Sequence, residues 1–220
     1  MINFKNFILN INLKRLLLLF FLLFIYTLFC AFSYVNAVSS DIQNAVFRLH
    51  VIANSDSIED QNLKYIVRDN ILNYMNTISK DVNSKEEIIT LINKNISTFK
   101  EIAQETIYEN GYTYPVEVKI GKFAFPTKSY GDISLPSGIY DALRIEIGDA
   151  KGQNWWCVMF PPLCFVDVTS GVVPEESKSV IKDNVSEEEY SLISKDSSDM
   201  TFKFKIVEMF QNIGVKLAQI

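Results

Sequence analysis

The residues able to carry covalent chemistry are few, and they lie in two separate parts of the chain. His50 is the single histidine among 220 residues, which excludes zinc sites that need two or more imidazoles. With Cys157 or Cys164, His50 would form a Cys–His nucleophilic pair, as in an exported thiol hydrolase. Cys157 lies between Trp156 and Val158 in an apolar stretch, whereas a reactive thiolate usually occupies an exposed, electropositive position. The pattern favours a small buried hydrophobe or a disulfide partner.

The spacing of Cys157 and Cys164 leaves several interpretations open. Six residues separate them, including Pro161 and Pro162. A disulfide requires the two Cα atoms to come within about 7 Å, so the chain would have to double back. The alternatives are a pair of reduced core thiols and a thiol–disulfide enzyme that uses both cysteines. The sequence has no phosphate-binding loop, dinucleotide fingerprint or serine-hydrolase elbow, and we expect no catalytic residue, metal or cofactor.

The N-terminus is a membrane-targeting segment. Three basic residues and no acidic residue precede an almost unbroken apolar run of 17 residues at positions 16–32. This length falls between the apolar core of a signal peptide, about 7–15 residues, and a spanning helix of about 18 or more. Val35 and Ala37 form a small-x-small pattern, which predicts cleavage after Ala37, with an uncleaved anchor as the alternative. In both cases the remainder crosses to the far side of the membrane.

The composition describes an acidic, foldable body. The chain has 21 Lys and Arg against 26 Asp and Glu, a net charge of -5, and removal of the three N-terminal basic residues makes it -8. Binding of nucleic acid through phosphate neutralisation needs a basic surplus, so we expect no nucleic-acid partner. A hydrophobic content of 48% is enough for a core and excludes disorder as the dominant state.

Hydrophobic periodicity predicts an α+β fold. Residues 45–52 alternate as a strand with one buried face, and two capped amphipathic helices follow, at residues 58–78 and 84–111. Further strands are predicted at residues 114–125, 139–147 and 154–160, the last two joined as an antiparallel hairpin with its tip at residues 148–153. We therefore predict two amphipathic helices packed on an antiparallel or mixed sheet of about four to five strands, preceded by the signal or anchor segment.

The sequence divides into four segments. They are a signal peptide or signal anchor at 1–37, an exported α+β domain at 38–182, an acidic linker at 183–200, and a C-terminal strand and helix at 201–220 packed on the domain. The linker assignment depends on residues 183–199, which contain six acidic residues, one lysine and many serines. Such a composition is typical of a solvated connection.

Several motifs together resemble one known family. They are FRLHVIANSDS at 47–57, LKYIVRD at 63–69, LPSG at 135–138 and, above all, GQNWWCVMFPPLC at 152–164. On these motifs the chain resembles the stage II sporulation protein R family. The resemblance covers about residues 45–168 and the closing FKFKIVE at 202–208, while the acidic stretch 183–199 has no recognisable counterpart.

The resemblance implies a signalling protein of endospore-forming bacteria. Members of that family are made in the forespore and exported into the space between the two septal membranes. There the family acts on a membrane-embedded aspartyl protease of the mother cell, which then removes the pro-segment of a sporulation sigma factor. The family is not known as an enzyme, and it supplies no catalytic residues to carry over.

Two polar features are the expected contacts with such a partner. One is the turn at residues 54–57, and the other is the hairpin tip at residues 149–154. The predicted partner-binding residues are His50, Asn54, Ser55, Asp56, Arg68, Asn154 and Trp155.

Overall fold

The computed structural model describes residues 4–164 and 173–194. The chain forms two compact units, Met1–Ser40 and a second that begins at Asp41. Helix α1, Phe4–Ala45, contains an 18-residue stretch, Leu13–Cys30, with a mean hydropathy of 2.1 and no buried residue. By length and composition this stretch is able to cross a membrane, and a signal sequence has the same properties.

A mixed four-stranded sheet organises the second unit. Its strands are β1 (Phe47–Ile52), β2 (Val116–Phe125), β5 (Gly138–Ile147) and β6 (Asn154–Phe160), in the order β2-β5-β1-β6. Strand β1 pairs in parallel with β5 and antiparallel with β6, and β2 pairs antiparallel with β5. Together with the helices this sheet confirms the predicted α+β class.

Three helices cover one face of the sheet. They are α2 (Ile58–Ile78), α3 (Lys85–Lys94) and α4 (Ile96–Glu109). Phe47, Leu49 and Val51 of β1 point into this layer and share one hydrophobic cluster with the helices. Sequence periodicity predicts one helix over residues 84–111, but the structure divides it at Asn95, whose Nδ2 donates to the Leu91 carbonyl at 2.8 Å. Asn95 leaves the helical region at φ −109° and ψ 15°, and its Oδ1 accepts from the Tyr74 hydroxyl of α2 at 3.0 Å, which ties the break to the neighbouring helix.

The opposite face, here called the outer face, carries a second and smaller layer. A two-stranded sheet, β3 (Lys128–Tyr130) and β4 (Ile133–Leu135), lies between β2 and β5 in the chain, where no strand is predicted from the sequence. Helices α5 (Glu175–Asn184) and α6 (Glu187–Ile193) adjoin it, through a 2.7 Å ion pair between Lys178 and Asp132 and a bridge from Ile133 to Ser194. All six residues of β1 are buried, where the sequence predicts only one buried face. On the outer face Tyr130 of β3 covers Arg48, and Phe125 and Trp156 pack on His50.

The predicted hairpin between residues 139–147 and 154–160 is wrong. Strands β5 and β6 do run in opposite directions, but β1 lies between them. A strand that is buried on both faces belongs in the centre of a sheet, and that position fits the fully buried β1 better than an edge. The six-residue connection between β5 and β6 therefore crosses over the end of β1.

The acidic stretch predicted as a linker contains helix structure in its described part. Ser186 and Glu189 form a reciprocal capping box at the start of α6, and Ile193 at its end is fully buried. These two local features make residues 187–193 a packed helix. Residues 195–200 of the expected linker and the predicted C-terminal strand and helix, 201–220, lie outside the described residues.

Candidate functional site

The crossing connection between β5 and β6 brings together the two polar features that the sequence identifies separately. The turn at residues 53–57 follows β1, and the tip at residues 148–153 passes beside it. The Lys151 amide donates to the Asn54 carbonyl at 3.1 Å, and the Gly152 amide donates to the Ala53 carbonyl at 2.9 Å. A Cβ atom on Gly152 would lie 2.1 Å from the Ser55 carbonyl oxygen, so only glycine permits this approach.

Side chains of the turn complete this docking. The Asp149 amide donates to Asn54 Oδ1 at 2.9 Å, and the Gln153 amide donates to Asp56 Oδ1 at 2.7 Å. Ser57 caps α2 by accepting from the Asp60 amide at 3.1 Å. Asn54 and Asp56, predicted as partner contacts, are therefore already used to hold the tip against the end of β1.

Asp60 is the buried acceptor behind the turn. It is 4% exposed, and it accepts from Asn54 Nδ2 at 2.8 Å and from Ser55 Oγ at 2.5 Å. Burial acts to raise the pKa of this carboxyl, but the hydrogen bonds from Ser55 and Asn54 outweigh it, and the pKa is lowered. An ionised carboxylate thus fixes the turn.

Lys64 attaches the tip to α2. Its ammonium is buried and donates to the Gln153 carbonyl at 3.0 Å and to Gln61 Oε1 at 2.5 Å. Burial lowers the pKa of Lys64, and the charge of Arg68 lowers it further. Neither Asp60, Gln61 nor Lys64 is identified from sequence as part of the site, although Asp60 is recognisable there as the third residue after the Ser57 cap.

A cluster of aromatic and basic side chains lies next to this docked turn and tip. The Arg68 guanidinium stacks over the Trp155 ring, 4.3 Å from its centroid, and over the Tyr65 ring at 4.9 Å. Tyr65 and Trp155 make an edge-to-face contact with centroids 5.6 Å apart, and Arg68 also pairs with Asp69 at 2.6 Å. These contacts hold both rings in fixed orientations beside the solvent.

Exposed apolar side chains of α2 extend this cluster. Ile58 is 76% exposed, and Tyr65 and Ile66 are 37% and 39% exposed, although the helical periodicity assigns Ile66 to the buried stripe. We call Ile58, Tyr65, Ile66, Arg68 and Trp155 the α2 patch. Aromatic and arginine side chains are enriched at the centres of protein–protein interfaces, so the patch has the composition of a docking surface.

His50 and Asn154 lie away from the α2 patch. His50 is on the outer face, where its Nε2 is 2.6 Å from Asn154 Oδ1 and its ring stacks on Trp156 with centroids 5.7 Å apart. Burial lowers the pKa of His50, with the positive charges of Arg144 and Arg48 acting in the same direction and the Asn154 hydrogen bond and Glu146 opposing them. The predicted contact residues therefore form two groups on different faces of the sheet.

Two of the three cysteines are joined to each other. Cys157 and Cys164 form a disulfide with their Cα atoms 5.2 Å apart. Cys157 is paired in register with Leu49, so its side chain points to the helix-covered face, whereas the neighbouring His50 points to the outer face. A Cys–His pair is thus not assembled here. Within residues 4–164 and 173–194, no three His, Cys, Asp or Glu side chains come together as a metal-binding group.

Comparisons with known proteins identify the chain's relatives. Residues 43–170 match the family described as stage II sporulation protein R. A protein named stage II sporulation protein R from Bacillus subtilis (strain 168) is 41% identical over 137 residues, which is 62% of this chain and 61% of the relative's own length. No solved structure matches.

Proposed function

Because this chain belongs to the stage II sporulation protein R family, we propose that it is an exported signalling protein of sporulation. In this proposal it activates a membrane-embedded aspartyl protease of the mother cell by binding it, and the protease then processes a pro-sigma factor. The chain itself is not an enzyme. The single observation that carries the binding role is the α2 patch, a set of solvent-facing apolar and aromatic side chains held in place by Arg68.

The construction of the α2 patch suits a binding role. Trp155 is fixed from one side by Tyr65 and Arg68, and the strand that carries it follows the tip held by Lys64. Side chains that are already ordered lose little conformational entropy on binding, which favours a rigid anchor. An interface of standard size contains about 20–30 residues a side, so the patch is the proposed centre of a larger contact.

Activation by binding sets a thermodynamic requirement on the partner. The protein must bind the active arrangement of the protease more tightly than the inactive one. Each tenfold increase in the ratio of active to inactive protease requires a difference of about 1.4 kcal/mol in binding free energy between the two arrangements. The loss of one central anchor typically removes about 2 kcal/mol or more of binding free energy. A single substitution in the patch is therefore enough to reduce activation more than tenfold.

Charge reversal at Arg68 tests the proposed contact. Arg68→Glu removes the guanidinium from both rings and adds a second acid beside Asp69, and we expect loss of sigma-factor processing while the protein is still secreted and folded. Lys100→Glu, the same reversal at an exposed position on α4, is the matched control and should process normally. If the folded Arg68→Glu protein still supports normal sigma-factor processing, Arg68 is not a contact residue and the α2 patch is not the binding surface.

The proposed route begins in the forespore and ends in the space between the septal membranes. Leu13–Cys30 supplies the apolar segment needed for export, and we propose cleavage after Ala37. Intact mass of the protein recovered from the exporting cell tests this step. The mass expected for a chain that starts at Val38 supports a released signalling protein. The mass of the full-length chain would instead show that the protein stays anchored in the membrane.

A further inference from the structure

Arg48 is the most deeply placed charge in the described part of the chain. It lies on the central strand β1, points to the outer face and has no exposed surface. Its Nη2 donates to the Tyr130 hydroxyl at 2.7 Å, and that hydroxyl in turn donates to the Trp156 carbonyl at 3.3 Å. Tyr130 belongs to β3, so the β3–β4 hairpin covers this guanidinium.

Aromatic rings surround the guanidinium, and we call this arrangement the Arg48 box. The Arg48 Cζ atom lies 4.1 Å from the centroid of Phe125, 4.6 Å from that of Tyr140 and 5.9 Å from that of Tyr130. Contact with ring faces stabilises the cation but does not satisfy its N–H donors, which point outwards in the guanidinium plane. Among the residues that the structure describes, Nε and Nη1 have no hydrogen-bond partner.

Among the described residues, no acidic side chain neutralises the charge of Arg48. Arg48 forms no ion pair within residues 4–164 and 173–194, while Asp141 and Glu146 on the neighbouring strand are paired with other cations. A guanidinium does not lose its proton in a protein, so burial cannot remove this charge. Burial of an unpaired charge with unmet donors is strongly unfavourable, and a water molecule would satisfy a donor without neutralising the cation.

From this geometry we propose that the Arg48 box binds a small monovalent anion, a halide or a small carboxylate, through Nε and Nη1. One fixed positive charge calls for one negative charge, and complete burial excludes a large ligand. The β3–β4 hairpin has strands of only three residues and is separate from the four-stranded sheet, so its opening gives the anion a path for exchange. The proposal is independent of the proposed signalling role.

Thermal unfolding of the full-length protein in a non-ionic detergent tests the anion site. At constant ionic strength, sodium gluconate, whose anion is bulky, is replaced stepwise by sodium chloride or sodium formate. We expect Tm to rise by at least about 2 °C and to saturate, because an anion that binds only the folded state stabilises it. An unchanged Tm in all three salts would overturn the proposal.

Two variants separate the site from a general salt effect. Arg48→Met should abolish the response, while Arg144→Met, on the same face but ion-paired with Glu146, should retain it. An equal response in Arg48→Met would contradict the proposal. If Arg48→Met does not fold, chloride-35 NMR on the unaltered protein replaces it. If the chloride-35 signal shows excess line broadening that formate removes, the result supports the anion site. If the signal shows no excess broadening, the proposal is overturned.

Discussion

Replacement of Asp60 by asparagine tests the buried network that docks the tip of the β5–β6 connection on the turn after β1. Asp60 is 4% exposed and accepts from Asn54 and Ser55 at 2.8 and 2.5 Å. Hydrogen bonds to an ionised group contribute about 1.5–3 kcal/mol each, and asparagine keeps one acceptor oxygen while placing an NH2 against a donor. We therefore expect the free energy of unfolding to fall by about 2–3 kcal/mol.

Urea and thermal unfolding of the full-length protein measure this loss. For a chain of this size the expected change corresponds to a decrease in Tm of about 4–12 °C. Glu59→Gln is the matched control, because it removes the same charge from the same helical turn at an exposed position, and it should change stability by about 0.3–1 kcal/mol through the helix dipole alone. Equal effects of the two substitutions would refute the role assigned to the network.

Three further substitutions follow from the same structure. Gly152→Ala should undock the tip because its Cβ would meet the Ser55 carbonyl, whereas Gly121→Ala, with its nearest neighbour at 3.5 Å, should be close to neutral in urea unfolding. Replacement of Cys157 and Cys164 by serine should reduce stability by about 2–3 kcal/mol but leave processing intact in protein that remains folded; loss of processing there would favour thiol chemistry. Because burial lowers the pKa of His50, the unfolded state gains a proton first as pH falls below about 6.5, and stability should decline towards pH 5.5. His50→Gln should flatten that decline when the free energy of unfolding is measured by urea titration at several pH values. An unchanged dependence of this free energy on pH would contradict the role assigned to His50.

Local sequence signals predict much of the secondary structure. The alternation in residues 45–52 and the capped helix starts predicted at residues 58 and 84 correspond to β1, α2 and the start of α3. These features depend on neighbours a few residues apart, and such neighbours are visible in one sequence.

Strand order is not predictable in this way. Residues 148–153 have the composition of a hairpin tip, but the same residues are long enough to pass over the end of β1. Only the burial of β1 on both faces distinguishes the two arrangements, and on the outer face that burial involves Tyr130 of the β3–β4 hairpin, 82 residues after Arg48 in the chain. Pairing between distant segments leaves no periodic signal.

The candidate site shows the same division between local and distant information. Of the residues that sequence reasoning selects, the structure places Asn54 and Asp56 against the tip and Arg68 on Trp155, but it places His50 and Asn154 together on the outer face. Sequence reasoning misses Lys64, because a lysine within an apolar stripe gives no sign that a carbonyl from the tip will reach it. Ile66 fits the stripe equally well but stays exposed, since periodicity does not indicate where a neighbouring element ends.

Site-specific photo-crosslinking tests most directly whether the α2 patch contacts the protease. A photoreactive amino acid replaces Tyr65 in the patch or, as the control, Tyr108, an exposed tyrosine on α4. Both proteins are produced in sporulating cells and irradiated, and the membrane fraction is probed for the aspartyl protease. We predict a crosslink from position 65 and none from position 108. A crosslink from position 108 alone, or from neither position when the unirradiated proteins still support sigma-factor processing, would contradict the account.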